Sequence, residues 1–224
     1  MIAALYVDPD GVYGKLPGVD PWDERRDARN YSGPHPVVAH PPCQRWGRFW
    51  HGSTRKPHQY RLGDDGGCFA TALWAVRTFG GVLEHPAGSH AWRWHGLTRP
   101  SQGDGWTEAD DYGGHTCAVD QAHYGHFARK STWLYAAKVD LPALNWGKAE
   151  QRIHPVALER HGYEKARRIG MMAMVGGKEK TKIRNATPPE FRDVLLAMAG
   201  TVQSSAPPHG LNGLGRKLEM GVAS

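Results

Sequence analysis

The sequence has no long apolar run, and this absence excludes a helical membrane protein. A helix that spans a bilayer needs about 20 mostly apolar residues, and no stretch of this chain approaches that length. The apolar residues 1–5 are also too few for the core of a signal peptide, which takes roughly 7–15 residues. We therefore expect a cytoplasmic protein with no membrane partner.

Cysteine is also scarce, with three residues in a chain of 224. A small and odd number argues against a disulfide framework and favours a reducing compartment. No internal repeat is evident, and 40% of the residues are apolar, so one domain with a sizeable core is the natural expectation. We place this domain at residues 1–201 and predict a disordered tail at residues 202–224, where apolar content is low.

Basic residues outnumber acidic ones, which gives a net charge of +6 and an isoelectric point near 9.3. Such a balance favours an anionic partner, with nucleic acid or a nucleotide first. The nine Trp and 13 His are unusually many for this length, and they indicate stacking surfaces or a polar pocket beside the aliphatic core.

Short β-branched runs alternate with segments of helical spacing, which predicts an α/β fold. Strands are expected at residues 2–7, 37–40, 82–84 and 132–137. Helices are expected at residues 69–79 and 190–199, and a short one at residues 20–24 with Asp20 as its cap. Residues 47–67 and 92–114 lack periodicity and are interpreted as loops.

The tripeptide Pro41-Pro42-Cys43 directly follows one of these predicted strands. In an open α/β sheet, ligand crevices form at the carboxyl ends of the strands. A thiol held there on stiff backbone can act as a nucleophile if its surroundings activate it. The alternative is that Cys43 is a small buried hydrophobic residue, which is the usual role of a free cysteine.

Four segments then follow one another along the chain. They are Ala39-His40-Pro41-Pro42-Cys43, Leu83-Glu84-His85-Pro86, residues 120–135, and Arg184-Asn185-Ala186-Thr187-Pro188-Pro189. Their order and content resemble the cytosine C5 DNA methyltransferase family, over about half of the chain. In that family a Pro-Pro-Cys loop carries the nucleophile and a strand-end Glu-Asn-Val supplies a carboxylate. A Tyr-Gly…Arg-Arg segment leads into a strand, and Gly-Asn-Ala-Val-Pro-Pro opens the closing helix.

The resemblance implies that the Cys43 thiolate adds to C6 of cytosine and turns the ring into an enamine. Glu84 would hold or protonate N3, and Arg129 with Lys130 would steady O2, the ring or a phosphate. Further implied substrate contacts are Pro41, Pro42, His85, Gln121, Tyr124 and Lys130. The implied donor is S-adenosylmethionine or a relative, with Tyr6, Asp8, Gly11 and Asn185 as its contacts.

Each assignment has a purely structural alternative. Glu84 at a strand end also suits a cap for the next turn, and Arg129 with Lys130 also suits a solvated pair. Asn185 before Thr187-Pro188-Pro189 is as typical of a helix cap or turn as of a site residue.

The sequence departs from the family in the cofactor half. The family holds the methionine part of its cofactor with a Phe-x-Gly-x-Gly-Gly loop, whereas residues 5–11 here keep one glycine and place Asp8 and Asp10 instead of two others. Only 35 positions separate Asp8 from Cys43, which leaves room for little more than one βαβ unit of about 30 residues.

Two further departures concern the rest of the chain. Glu-His-Pro stands in place of Glu-Asn-Val, and the stretch between Leu144 and Thr187 is too short for the usual domain that recognises a DNA sequence. We therefore expect a reduced Rossmann-like methyltransferase fold with a mostly parallel sheet and long loops. Its short length and basic charge are also typical of phage-encoded DNA-modifying enzymes, which act in the host cytoplasm.

Several other functions stay open. One is C5 modification of free pyrimidine nucleotides with a different donor, as in thymidylate synthases. Another is a catalytically silent nucleic-acid-binding relative that uses the basic stretch 148–182 for phosphate contacts. A third is an amino-methyltransferase, although that family has an aromatic residue where this chain has Cys43.

A zinc site is a further alternative, because four potential ligands occur within twelve residues. They are His115, Cys117, His123 and His126, which Cys68 and His85 could join. The spacing is less regular than that of known zinc motifs, so we assign no metal.

Overall fold

The computed structural model describes residues 1–52, 59–101, 103, 105–175 and 177–202, with only the backbone described at residues 177–179. The tail predicted to be disordered lies outside these residues except for Val202. Part of the predicted loop 47–67 also lies outside them.

In the described part of the chain, seven strands form one mixed sheet. They are β1 (Ile2–Leu5), β2 (Val19–Trp22), β3 (Val37–Ala39), β4 (Gly81–Pro86), β5 (Thr107–Glu108), β6 (His115–Asp120) and β7 (Ser131–Ala137). Their order across the sheet is β2-β1-β3-β4-β7-β6-β5. The first four strands pair in parallel, and β4-β7, β7-β6 and β6-β5 pair antiparallel. The α/β prediction is confirmed, but the prediction of a mostly parallel sheet is wrong.

The described residues form five α-helices, of which the first packs on one face of the sheet and the fifth on the other. They are α1 (Cys68–Phe79), α2 (His90–Trp94), α3 (Pro155–Ile169), α4 (Gly177–Asn185) and α5 (Pro189–Gly200), with 3-10 turns at Ala28–Asn30, Gln121–Tyr124 and Met171–Met174. Helix α3 is interrupted at Gly162, whose backbone is not helical. None of these helices combines the length and the apolar character needed to cross a membrane.

The strands divide their side chains between two cores because neighbouring residues point to opposite faces. Val37 and Ala39 of β3 pack with α1, whereas Val38 between them packs with α5. Gly80 and Gly81 end α1 and begin β4. A side chain at Gly81, where φ is 131°, would place its Cβ 1.9 Å from the Val37 carbonyl oxygen, so only glycine allows the two strands to approach here.

Two of the predicted elements are wrong. Residues 20–24 are not a helix, because Val19–Trp22 extends and pairs with β1. The Asp20 carboxylate accepts hydrogen bonds from the side chains of Trp22 and Arg26 instead of capping a helix. The predicted loop 92–114 contains the end of α2 and the short strand β5.

Candidate active site

The three parallel strands β1, β3 and β4 end at one edge of the sheet, which we call the carboxyl edge. From β1 the chain passes to β2 on one side and then returns to build β3 and β4 on the other side. The strand order therefore reverses between β1 and β3. In open α/β sheets, ligands bind in the crevice outside the carboxyl ends at such a reversal.

Cys43 lies at this edge, four residues beyond the end of β3. Its carbonyl oxygen accepts hydrogen bonds from the backbone N–H groups of Trp46 (3.0 Å) and Gly47 (3.1 Å), which hold the residue in a closed turn. The side chain is partly buried. Burial raises the pKa of the Cys43 thiol and the Glu84 carboxylate raises it further, while the charges of Arg184 and Lys130 act in the opposite direction.

Glu84 lies on the neighbouring strand β4 and is 7% exposed. Its Oε1 accepts a hydrogen bond from Gln121 Nε2 at 2.9 Å, and its Oε2 is 3.0 Å from His40 Nδ1. Burial alone would raise the pKa of Glu84. The hydrogen bond from His40 and the positive charge of Lys130 outweigh burial and lower the pKa to about 2. The carboxylate is therefore ionised at neutral pH.

Gln121 and Thr132 hold the other side of this carboxylate. Gln121 is fully buried, and its Nε2 also donates to Thr132 Oγ1 at 2.9 Å. Its Oε1 has no hydrogen-bond partner among the described residues. The predicted substrate residue Gln121 thus contacts Glu84 directly, while Thr132 enters the site without having been singled out from the sequence.

His40 and Tyr13 were also missed as site residues, although His40 directly precedes the Pro-Pro-Cys turn. A carboxylate can only accept, so His40 Nδ1 carries the proton that it shares with Glu84. The other ring nitrogen, Nε2, is 2.8 Å from the Tyr13 hydroxyl. Burial raises the pKa of Tyr13, so this hydroxyl keeps its proton. The result is a hydrogen-bonded chain from Tyr13 through His40 to Glu84.

His85, the next residue after Glu84, faces the opposite side of the sheet. It is fully buried, with its ring centroid 5.2 Å from Phe69 and 6.2 Å from Trp92. Neither ring nitrogen forms a hydrogen bond within the described residues. Burial lowers the pKa of His85 to about 4, although the Glu84 charge and the Pro42 carbonyl favour the protonated form. The structure places His85 beneath the Pro-Pro turn, where it carries no charge at neutral pH.

The remaining predicted substrate residues are placed differently from one another. Lys130 is near enough to act on the pKa values of Cys43 and Glu84, and its Nζ donates to the Ala186 carbonyl at 3.0 Å. Arg129 donates from Nε to the Ala149 carbonyl at 2.6 Å, and no contact with Cys43 or Glu84 is recorded for it. Tyr124 packs against Phe191 in the α5-side core.

Pro41 and Pro42 form the turn itself, with Pro41 buried and Pro42 exposed. The turn places Cys43 beyond the strand end while the backbone stays fixed, since proline restricts its own φ and the residue before it. Arg184, which precedes Asn185 in the last of the four segments, is a second cation whose charge opposes the rise in the pKa of Cys43 that burial causes.

The predicted cofactor residues do not come together as one group. Tyr6 directly follows β1 with φ at 60°, and its hydroxyl donates to Thr71 Oγ1 at 3.3 Å. Asp8 and Gly11 close a turn through a 2.9 Å backbone hydrogen bond. Asn185 is exposed at the end of α4, where Arg184 donates to its Oδ1 at 3.4 Å.

The residues considered for zinc are also separated. Cys117 is buried in the α5-side core, and His126 Nε2 bonds to the Ile183 carbonyl at 3.0 Å. Across the described ranges, no three His, Cys, Asp or Glu side chains are grouped as a metal site.

Comparisons of this chain with protein-family models, with curated proteins and with solved structures find no match. The geometry of the carboxyl edge and the order of the four segments are therefore the basis for a functional proposal.

Proposed function

We propose that this protein modifies a pyrimidine base, with cytosine C5 in DNA as the target, through a transient adduct with the Cys43 thiolate. One observation carries the proposal: Cys43 follows β3, the buried, ionised Glu84 lies on the neighbouring parallel strand β4, and both lie at the carboxyl edge where the strand order reverses, near enough for the Glu84 charge to act on the thiol. This arrangement puts the proposed nucleophile and the proposed base-binding carboxylate at one edge of the sheet. A reduced Rossmann-like methyltransferase fold, with three further strands added antiparallel, accounts for the same topology.

The chemistry assigns one role to the thiol. Cys43 loses its proton to water, its sulfur bonds to C6, and the electrons of the C5–C6 double bond move to C5. C5 then forms a bond to the transferred group of an electrophilic donor, and the bond between that group and the donor breaks with its electron pair left on the donor. Loss of the C5 proton to water and cleavage of the S–C6 bond restore the double bond and release the thiolate. Lys130 and Arg184 supply the positive charge that favours the thiolate.

Glu84 has a different role, and its low pKa determines whether it can donate a proton. A carboxyl group with a pKa of about 2 is a poor proton donor at neutral pH. We propose that it stays ionised, accepts a hydrogen bond from the exocyclic amine, and stabilises the positive charge when N3 takes up a proton. His40 and Gln121 keep its two oxygens in place, so orientation is established before the base arrives.

S-adenosylmethionine would supply an electrophilic methyl group, but the residues nominated for it do not fit as a cradle. Residues 6–18 contain no helix. The loop closes on itself instead: a Cβ at Gly14 would lie 1.5 Å from the Pro9 carbonyl oxygen, and one at Gly11 would lie 3.0 Å from the Asp8 carbonyl oxygen. These glycines serve tight turns of the loop. The donor stays a prediction, and no step above depends on its identity.

A second candidate is nucleic-acid binding without catalysis. The observation that favours it is the raised pKa of the Cys43 thiol, which keeps the nucleophile protonated before substrate binds. The two candidates differ in one measurable outcome, because only a catalyst forms a covalent bond with the base.

The proposal is tested with DNA that carries 5-fluorocytosine, in which fluorine cannot leave C5 as the proton does. The protein is incubated with this DNA and S-adenosylmethionine, and in parallel with a small-molecule extract of the expressing cells as a source of other donors. We expect a protein–DNA adduct on denaturing gels, with its mass assigned to the peptide containing Cys43. Fluorinated free nucleotides, tested alongside, distinguish modification of the polymer from modification of nucleotides.

Matched variants identify the reacting thiol. Cys43→Ser should abolish the adduct, whereas Cys68→Ser should keep it, since Cys68 is a comparably half-buried thiol that begins α1. Nucleosides from the DNA of expressing cells are analysed by mass spectrometry for a modified pyrimidine that Cys43→Ser lacks. Unmodified nucleosides together with no adduct would overturn the catalytic proposal in favour of binding alone.

A further inference from the structure

An exposed surface rich in aromatic and arginine side chains is joined to the turn that holds Cys43 by backbone hydrogen bonds. We call it the aromatic–arginine surface and define it by Arg45, Phe49, Tyr60, His90, Arg93 and Trp94. The turn that holds Cys43 also anchors it, because the Trp46 N–H donates to the Cys43 carbonyl and the Trp46 carbonyl accepts from the His90 N–H at 2.9 Å. The surface is thus fixed relative to the proposed nucleophile.

Trp94 is the most prominent ring of this surface. It is 62% exposed at the end of α2, and it packs against the buried Trp46 in a T-shaped contact with ring centroids 5.9 Å apart. Together with Leu62, His90 and Arg93 it lines a cleft of about 300 Å³. This volume is at the lower end of the range for small-ligand clefts, ~300–1,000 Å³. A large ring held from one side and open on the other can accept a flat ligand.

Two further exposed rings of this surface lie against the guanidinium groups of arginines. Arg45 lies 3.4 Å above the Tyr60 ring, which is 36% exposed, and Arg48 lies 5.6 Å from the Phe49 ring, which is 66% exposed. Such pairs combine a stacking face with a positive charge. The Gly63 N–H donates to the Arg45 carbonyl at 3.0 Å, which ties residues 60–63 to the same turn.

The charge of this surface is mainly positive. None of Arg45, Arg48, Arg61 and Arg93 forms an ion pair within the described ranges. Asp65 accepts from Trp46 Nε1 at 2.7 Å and from the backbone N–H groups of Gly67 and Phe69, which leaves Asp64 as the exposed acid of residues 60–65. Free guanidinium groups between exposed rings complement a chain of phosphates and bases.

We propose that the aromatic–arginine surface binds single-stranded nucleic acid, with an unpaired base stacked on Trp94 and the flanking phosphates paired with the arginines. Stacking needs the free face of a base, which a duplex interior does not offer, so the surface selects single strands over duplex. The inference rests on the proposed function in that it names the form of the substrate, and it places the strand next to Cys43. It is tested by binding alone, without any chemical step.

The experiment measures fluorescence anisotropy of a labelled pyrimidine oligonucleotide, of the same sequence as duplex, and of the labelled mononucleotide. We expect the single strand to bind most tightly. Trp94→Ala should weaken single-strand binding by roughly tenfold, and Trp94→Phe should restore most of it. Trp74→Ala is the matched control, because Trp74 is also an exposed tryptophan, with 49% of its surface accessible. It contacts Phe79, the last residue of α1, and is not part of the aromatic–arginine surface. This variant should leave affinity unchanged.

Salt dependence tests the arginines. Arg93→Met should reduce the slope of log affinity against log salt by about 0.7, the value for one phosphate contact on a single strand. Duplex binding equal to or tighter than single-strand binding, wild-type affinity in Trp94→Ala, or an equal loss in Trp74→Ala would overturn the inference. An intact 5-fluorocytosine adduct with any of these results would overturn the inference and leave the proposed chemistry standing.

Discussion

His40 Nδ1 and Glu84 Oε2 are 3.0 Å apart, which links the residue before the Pro-Pro-Cys turn to the carboxylate of the neighbouring strand. This hydrogen bond joins the two halves of the candidate site, since His40 adjoins the turn of Cys43 and Glu84 is the carboxylate proposed to bind the base. The 2.8 Å contact between His40 Nε2 and the Tyr13 hydroxyl holds the imidazole ring on its other side. The carboxylate's low pKa is a consequence of this arrangement.

Removing the imidazole should therefore destabilise the protein and disorient Glu84. We expect His40→Ala to lower the free energy of unfolding by roughly 1–3 kcal/mol, because the buried Glu84 oxygen loses its hydrogen-bond donor. Tyr13→Phe keeps the ring and should cost about 1 kcal/mol. Urea unfolding at neutral pH measures both. Adduct formation should fall in His40→Ala and persist in Tyr13→Phe, and equal adduct loss in both would contradict the positioning role.

Glu84 acts on Cys43 in two opposite ways, and one substitution separates them. Its charge raises the pKa of the thiol, so Glu84→Gln should lower that pKa and speed alkylation of Cys43 by iodoacetamide by roughly threefold to tenfold at pH 8. The same variant should slow adduct formation by roughly a hundredfold, because the carboxylate no longer stabilises the protonated base. Mass spectrometry of the Cys43 peptide follows both reactions.

Replacing Lys130 should change the rate of Cys43 alkylation in the direction opposite to Glu84→Gln. Lys130→Met should slow Cys43 alkylation, because the Lys130 charge lowers the pKa of the thiol. Lys138→Met is its control, since the Lys138 ammonium bonds to the Thr78 carbonyl near the end of α1, on the edge of the sheet opposite the site. Alkylation rates that respond equally to Lys130→Met and Lys138→Met would refute a specific electrostatic effect on Cys43.

The sequence predicts the elements whose pattern is local. The spacing of Phe69, Leu73 and Val76 together with Gly80-Gly81 specifies α1 almost to the residue, and the apolar run before Pro41 specifies β3. Cys43 and Glu84 could be placed at one edge from the strand ends alone, because parallel neighbours end together.

Features that depend on distant pairing could not be read in this way. Strand β6 (His115–Asp120) is not predicted from the sequence, in which His115 and Cys117 are considered only as potential zinc ligands. Its antiparallel pairing with β7 gives these residues a place in the sheet instead. The contacts of His40 with Tyr13 and Glu84 join residues that are 27 and 44 positions apart in the sequence, and no local pattern predicts them.

His85 provides the clearest pH dependence in the molecule, although it takes no direct part in the hydrogen bonds of the site. Its pKa in the folded protein is about 4, against an ordinary value of 6.5. As the pH falls below 6.5 the unfolded chain takes up a proton that the folded protein does not. Stability is therefore fully present above about pH 6.5 and is lost progressively as the pH falls towards 4. The corresponding window for Glu84 lies lower, between its ordinary value of 4.5 and about 2.

The variant His85→Asn should lack the loss of stability that His85 causes between about pH 6.5 and pH 4. Between pH 7.5 and pH 4.5 we expect the wild-type protein to lose on the order of 2–3 kcal/mol more unfolding free energy than this variant, because about two pKa units separate the folded and unfolded states of the imidazole over that range. Urea unfolding at the two pH values measures the difference, which is insensitive to any constant cost of the smaller side chain. His90→Asn serves as the control, since His90 is exposed on α2 and should leave the pH dependence of wild type unchanged. A variant at His85 that keeps the full wild-type pH dependence would show that this imidazole takes up its proton at the same pH in the folded and the unfolded protein, which would contradict a pKa lowered by burial between Phe69 and Trp92.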